Sequence, residues 1–310
     1  MKRDRALAYA AFAIVCIVWG TTYLAIRVAV RTIPPTLLTG ARFVSAGLIL
    51  LAIARLRGDP LPRGKRLLGE LLIVGLLMVG MGNFCVAFAE QWVPSGFAAL
   101  LVATAPFWAA LMERLRKDGD RIDARRGFGM LIGFIGVALL VTPGGAGGAF
   151  DAHFVTGAVA IQIGSIAWQY GTVRGKYNLH DVPPLMSSAF QMLAGGIAIT
   201  TLGFAIGEQQ RVTITAEGIG ALAYLTIFGS VLAYTSFVYA LRKIRVTSMS
   251  LYAYINPLIA VILGWVILHE QLTWISIVAM CIILAGVALV QTPRRRIEHA
   301  RVAAFRSGSG

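Results

Sequence analysis

The sequence predicts an all-α membrane protein: ten transmembrane helices as two inverted five-helix repeats, with both termini in the cytoplasm. Three observations predict it. The first is composition. Of 310 residues, 57% are hydrophobic and 14% charged, and the mean hydropathy is +0.75. A soluble domain carries about 25% charged residues, so this chain lacks the polar groups to cover itself and its solvent must include lipid. The second is an internal duplication. Trp19-Gly20-Thr21-Thr22-Tyr23, leading to Pro34-Pro35, is answered by Trp168-Gln169-Tyr170-Gly171, leading to Pro183-Pro184. In the same order, Leu101–Pro106 is answered by Tyr252–Pro257 and Gly136–Pro143 by Gly286–Pro293, at a near-constant spacing of about 150 residues. Three landmarks in register mark two copies of one unit. The third is an alternation of basic residues along the chain.

Each element follows from the same physics. A crossing helix needs about 20 mostly apolar residues for a core of about 30 Å, and in lipid its backbone polar groups must be satisfied within the element. The first segment, 6–27, follows Lys2, Arg3 and Arg5. The second, 36–56, opens after Pro34-Pro35 and runs into Arg55 and Arg57; the third, 67–89, is preceded by Arg63, Lys65 and Arg66. The fourth, 95–113, carries Pro106 and ends in Arg114, Arg116 and Lys117. The fifth, 127–142, follows Arg121, Arg125 and Arg126 and closes at Pro143, where a Gly-rich stretch to Ala149 reads as a flexible connector. The sixth, 153–173, leads to Arg174 and Lys176, and the seventh, 183–207, opens on Pro183-Pro184. The eighth, 217–240, leads to Arg242, Lys243 and Arg245; the ninth, 246–268, carries Pro257; the tenth, 272–291, ends before Arg294, Arg295 and Arg296. The repeats then cover 1–146 and 147–306, and the terminal Ser307-Gly308-Ser309-Gly310 reads as a cloning scar.

With these spans, every lysine and arginine except Arg27, Arg31, Arg42 and Arg211 falls on one side. The positive-inside rule makes that side cytoplasmic. The net charge of +14 is thereby a topology signal, and no nucleic-acid partner is expected. An odd number of helices in each half inverts the second copy, the arrangement that supports alternating access. The first apolar run has no small-residue cleavage site behind it and reads as a retained helix. Cys16, Cys85 and Cys281 lie in apolar runs without shared spacing, as packing residues. There is no HExxH, Walker A loop or Gly-rich nucleotide fingerprint, so no enzyme activity, metal or cofactor is expected.

Polar residues inside the spans are the candidate site. Gln162, Ser165 and Gln169 share one face of the sixth segment, and Ser248, Tyr252 and Asn256 one face of the ninth. Ser187, Ser188 and Gln191, then Ser230, Tyr234 and Thr235, and Asn83 add to them. Facing lipid they are costly, so they face the bundle interior, either lining a cavity or hydrogen-bonding between helices. Trp19 and Trp168 are repeat-related and deep; with Trp108, Tyr234, Tyr252 and Tyr254 they form aromatic cavity walls or core. Trp92, Trp265 and Trp274 lie near outer helix ends, as interfacial anchors. Pro106 and Pro257 remove helix hydrogen bonds at matched points and read as hinges. Arg42 is the one cation within a span, read as snorkelling, as paired with Glu90, or as an anchor for a carboxylate or phosphate. The acids avoid the span centres, which argues against a carboxylate proton relay.

Trp19-Gly20-Thr21-Thr22, Arg42-Phe43, Asn256-Pro257, His269-Glu270-Gln271-Leu272 and Gly286-Val287 together resemble the EamA-type branch of the drug/metabolite transporter superfamily. The resemblance covers nearly the whole chain. It implies a five-plus-five inverted-repeat fold around a central cavity, exporting small metabolites, with the acid after the ninth helix matched by Glu270. Asp120 holds the related place in the first half, though its spacing from Pro106 is one residue longer than that of Glu270 from Pro257.

The combined reading is an inner-membrane exporter working by alternating access on amino acids with aromatic or large apolar side chains, similar to the aromatic amino-acid exporters of that family. The expected substrate-binding residues are Trp19, Asn83, Gln162, Ser165, Trp168, Gln169, Tyr234, Ser248, Tyr252 and Asn256. Broad drug or nucleotide-sugar transport is the alternative; a lipid enzyme or a scaffold is the rival from another class. The expected partners are a small-molecule substrate and membrane lipid; the sequence leaves the oligomeric state open, with a monomer plausible.

Overall fold

A computed structural model describes residues 2–115, 124–140, 142, 151–249 and 252–291. Among these residues all regular structure is helical. The first half holds α1 (Lys2–Ala29), α2 (Pro35–Leu56), α3 (Lys65–Gly75), α4 (Phe84–Ala89), α5 (Ser95–Val102), α6 (Ala105–Arg114) and α7 (Ala124–Leu140). The second holds α8 (Ala152–Asn178), α9 (Pro184–Ala205), α10 (Ala216–Tyr224), α11 (Ala233–Lys243), α12 (Val246–Met249), α13 (Tyr252–Leu268) and α14 (Trp274–Gln291). Among the described residues, six helical stretches are long and apolar enough to cross a membrane, among them Ala6–Ala29, Lys65–Ala89 and Ala216–Lys243, with two shorter apolar helices at Ile255–Leu268 and Trp274–Val290. Trp265 and Trp274, expected as anchors, are 59% and 75% exposed, as indoles at a lipid interface are. The Gly-rich connector, Asp120 and the basic tail from 292 onward lie outside the described residues.

Two spans are wound with an extra residue. Between α3 and α4 the helix loosens to π geometry over Leu76–Asn83; between α10 and α11 it does so over Leu225–Leu232, at matched positions of the two halves. A π turn leaves backbone groups out of step and is frequent at functional sites. In the first, the Asn83 side-chain amide donates to the Met78 carbonyl at 3.1 Å. In the second, the Gly229 carbonyl accepts from the Trp19 indole N–H at 3.0 Å.

The halves interlock. α2 packs on α9 and α7 on α14, each helix against its counterpart in the other half. α1 packs on α11 and α13, while α8 packs on α4 and α6, the same exchange seen from either half. Glycines make the closest approaches. A Cβ on Gly286 would meet the Gly133 nitrogen at 2.5 Å and the Gly129 carbonyl oxygen at 2.6 Å. The small-residue run in α7 therefore serves packing inside the chain.

The two proline expectations separate. The fourth span does break: α5 ends at Val102 and α6 starts at Ala105, with Pro106 in its first turn. Pro106 has no N–H and crowds the carbonyl one turn back. Pro257, expected to interrupt its span, lies inside α13, which runs unbroken from Tyr252 to Leu268.

Candidate functional site

α1, α4, α8 and α13 surround a central cavity with about 610 Å³ of space not filled by atoms, its open mouth included. Its floor is aromatic. The Trp19 ring centroid lies 5.4 Å from Trp168 and 5.2 Å from both Phe237 and Tyr252. Trp168 lies 5.6 Å from Phe237 and 5.9 Å from Tyr234. Most of these contacts are edge-to-face, an arrangement worth about 0.5–1.5 kcal/mol a pair beyond the area buried. Two repeat-related tryptophans thus meet at the centre. From this floor the cavity climbs along α1 past Thr22 and Tyr23 to Ile26, and along the first π segment from Gly82 to Val86. It leads towards the end of the bundle where α1 finishes, called the far end below.

Of the expected binding residues, Trp19, Trp168 and Tyr252 line the cavity as aromatics. Asn83, Ser165, Gln169 and Asn256 line it as polar groups. Asn256, with its amide set by its neighbours, donates to the Cys16 carbonyl at 2.8 Å and the Tyr252 carbonyl at 3.1 Å, which fixes α13 on α1. The Trp168 indole N–H is buried without a well-formed hydrogen bond. Such a donor is costly unless something meets it.

Two expected residues stand elsewhere. Gln162 braces the α5–α6 break. Its side-chain oxygen accepts from Thr104 Oγ1 at 2.9 Å and Trp108 Nε1 at 3.0 Å, and its nitrogen donates to the Leu101 carbonyl at 3.1 Å. Tyr234 lies behind Trp168 and donates to Gln191 Oε1 at 2.7 Å, and Gln191 in turn donates to Ser187 at 2.8 Å. Both belong to interhelical hydrogen bonding, the alternative held open for such polar faces. The Ser248 side chain is outside the described residues.

Arg42 is the residue that sequence reasoning placed least well. It does not snorkel: it is 5% exposed and lines the cavity. Its Nε donates to Ser230 Oγ at 2.7 Å, and its guanidinium lies 4.6 Å from the centroid of the Phe43 ring. A Cβ on Gly229 would come within 2.8 Å of Arg42 Nη2, so a glycine there makes room for the cation. The signal was its standing as the one cation within a span. Tyr23 and Thr22 also line the cavity; their spacing of four and three residues from Trp19 was the available clue.

Both ends of the bundle are tied. At the far end Glu270 accepts from Ser95 N at 2.8 Å, Ser95 Oγ at 2.9 Å and Gly96 N at 3.1 Å, capping α5 from the other half. Glu208 likewise caps α2, through the Thr36 hydroxyl and its N–H. At the opposite end Arg174 grips Glu70 with two bonds of 2.6 and 2.7 Å. There Lys176 donates to the Leu241 and Ile244 carbonyls at 2.6 Å each. Below the aromatic floor a smaller cavity of about 330 Å³ is lined by Phe237, Lys176, Gln191 and Arg242. The floor therefore separates two spaces. Among the described residues no cluster of metal-ligating side chains occurs.

Comparison with known proteins places this geometry. The model of the EamA-like transporter family matches residues 6–142 and again residues 155–292. The inner membrane transporter YedA of Escherichia coli (strain K12), named as uncharacterized, is 38% identical over 275 residues, 88% of this chain and 87% of that one. The transporter YoaV of Bacillus subtilis (strain 168), also named as uncharacterized, is 23% identical over 274 residues, 88% of this chain and 92% of its own. A solved crystal structure at 22% identity superposes with a TM-score of 0.66, covering 97% of this chain and 99% of its own, and shares the fold. The chain belongs to the EamA-like transporter family and is a membrane transporter.

Proposed function

We propose that the protein exports amino acids with aromatic or large apolar side chains across a bacterial inner membrane by alternating access. One observation carries this reading. A single cavity joins an aromatic floor, a buried arginine and an indole N–H without a well-formed hydrogen bond. An amino acid matches those features group by group. Its side chain lies on Trp19, Trp168 and Tyr252. Its carboxylate meets Arg42, whose planar fork suits that geometry. Its ammonium meets the side-chain oxygens of Asn83, Ser165 or Gln169. A nucleotide sugar brings a diphosphate, for which Arg42 is the only cation lining the cavity among the described residues. The double family match and the exchanged packing support two inverted repeats, 1–146 and 147–306, and the one-sided placement of lysines and arginines supports cytoplasmic termini. Alternating access then consists of opening the aromatic floor towards the smaller cavity while the far end closes, with Pro106 at the α5–α6 break as one hinge.

The test is counterflow of labelled tryptophan, phenylalanine and leucine in liposomes containing only this protein. Saturable exchange, lost in Arg42→Gln, supports the reading. No exchange of any of the three by folded protein rejects it.

A further inference from the structure

Glu90 follows α4 at the far end, one residue beyond the span Lys65–Ala89. It is completely buried, and neither carboxylate oxygen has a well-formed hydrogen bond. An unpartnered ion in such a place costs several kcal/mol, far more than the same group as a neutral acid. Its surroundings supply little. From α1, the Arg27 side chain donates to the backbone carbonyl of Glu90, not to its carboxylate, which has only a contact with the Arg27 backbone that falls short of a well-formed bond. The charges of Arg27, Arg42 and Glu270 act on it, as does its own on Tyr23. Arg31 lies next to Arg27, and on α8 His153 stacks on Trp92, two residues from Glu90, at 5.2 Å. Glu270 is engaged with Ser95 and Gly96, and Arg42 has its Nε on Ser230. Glu90 is nevertheless close to the cavity: Val86, one helical turn earlier, lines it, as do Tyr23 and Arg42.

We propose that Glu90 is a proton-binding site linked to the cavity through Arg42. This rests on the reading that the substrate carries a carboxylate. With its proton, Glu90 is neutral and leaves Arg42 free to meet that carboxylate. When the proton passes to water, the Glu90 carboxylate draws Arg42 away from Ser230 and competes with the substrate for it. An anion at Arg42 and a proton on Glu90 therefore favour each other. By linkage the effect is reciprocal: substrate binding holds the proton, and protonation strengthens substrate binding. Proton and substrate then move in the same direction, so a pH gradient drives substrate away from the acid side, and export past an acidic exterior runs only while the outward substrate gradient exceeds the inward proton gradient.

Two measurements test this, and the first needs no substrate. Infrared spectra of the wild type and Glu90→Gln in liposomes at neutral pH are compared. The expected difference is the carbonyl stretch of a protonated, weakly hydrogen-bonded carboxylic acid, present in the wild type and lost in E90Q. Should E90Q fail to fold, Glu90→Asp shifts the same band. Spectra that do not differ there, in either variant, mean that Glu90 is ionised and overturn the proposal. The second is tryptophan accumulation under a pH gradient. One proton per substrate gives about tenfold accumulation per pH unit at equilibrium, falling to none in E90Q. Tryptophan exchange by the wild type with no accumulation overturns the linkage. If tryptophan does not exchange at all, the substrate reading fails, and the infrared result still decides whether Glu90 holds a proton.

Discussion

Replacing Glu270 with alanine is expected to destabilise the protein by about 3–5 kcal/mol. The figure follows from what Glu270 does for α5. That helix starts at Ser95 behind Pro94 and has no side-chain cap of its own. Glu270 reaches across from the other half and accepts from two backbone N–H groups and a hydroxyl. Ser95 is completely buried. A buried donor left unpaired costs about 1–3 kcal/mol, and two N–H groups are lost together. A carboxylate at a helix N-terminus adds up to about 2 kcal/mol in partly buried geometry. The terms overlap, so they do not sum in full. Glu270→Gln keeps one acceptor oxygen and should lose roughly half as much. Glu208→Ala, at the matching cap of α2, removes a longer N–H contact of 3.3 Å and one hydroxyl bond, and should cost less than E270A. The assay is thermal unfolding of the purified protein in one detergent, with the three variants side by side. If E270A unfolds like a neutral surface change, within about 0.5 kcal/mol, the argument that this carboxylate holds α5 is refuted.

Other outcomes follow from the same structure. Gly286→Leu, which forces a side chain against the backbone of Gly129 and Gly133, should cost at least about 2–3 kcal/mol and be seen as a lowered melting point. Gln162→Leu removes three hydrogen bonds at the α5–α6 break. It should cost about 2–4 kcal/mol without changing the KM of protein that remains folded; a raised KM at unchanged stability would return Gln162 to the binding site. Trp19→Phe keeps a ring on the floor but leaves the Gly229 carbonyl unpaired. We expect a loss of about 1–2 kcal/mol and weakened tryptophan counterflow. Glu70→Ala should change the melting point little, by about 1 kcal/mol or less, because its bridge to Arg174 is partly exposed, at 15% and 28%.

The apolar helices were legible because hydropathy acts over about 20 residues and tolerates local irregularity. The same tolerance hid the irregularities. The π segment at Leu76–Asn83 is as apolar as its flanks, so nothing in composition marks its extra residue. Pro106 and Pro257 look alike in the sequence, yet only the former stands at a break, since a helix packed on its neighbours can carry a proline through. At the site, helical periodicity found Ser165, Gln169, Tyr252 and Asn256 because one face of a helix meets one environment. It also selected Gln162, which has the right face but the wrong depth, beside the α5–α6 break. Arg42 and Glu90 were misjudged for one reason. Distance along the chain from a span centre is a poor measure of burial when neighbouring helix ends close over the residue.

The π segments also speak to the history of the chain. A π turn arises when a single residue is inserted into a helix that cannot shift to absorb it. The two segments, Leu76–Asn83 and Leu225–Leu232, have the same length and the same separation as the paired tryptophans. Independent insertions have no reason to fall in register. The loosened turn therefore belongs to the unit that the family model matches twice, and it recurs while most of the side chains around it differ.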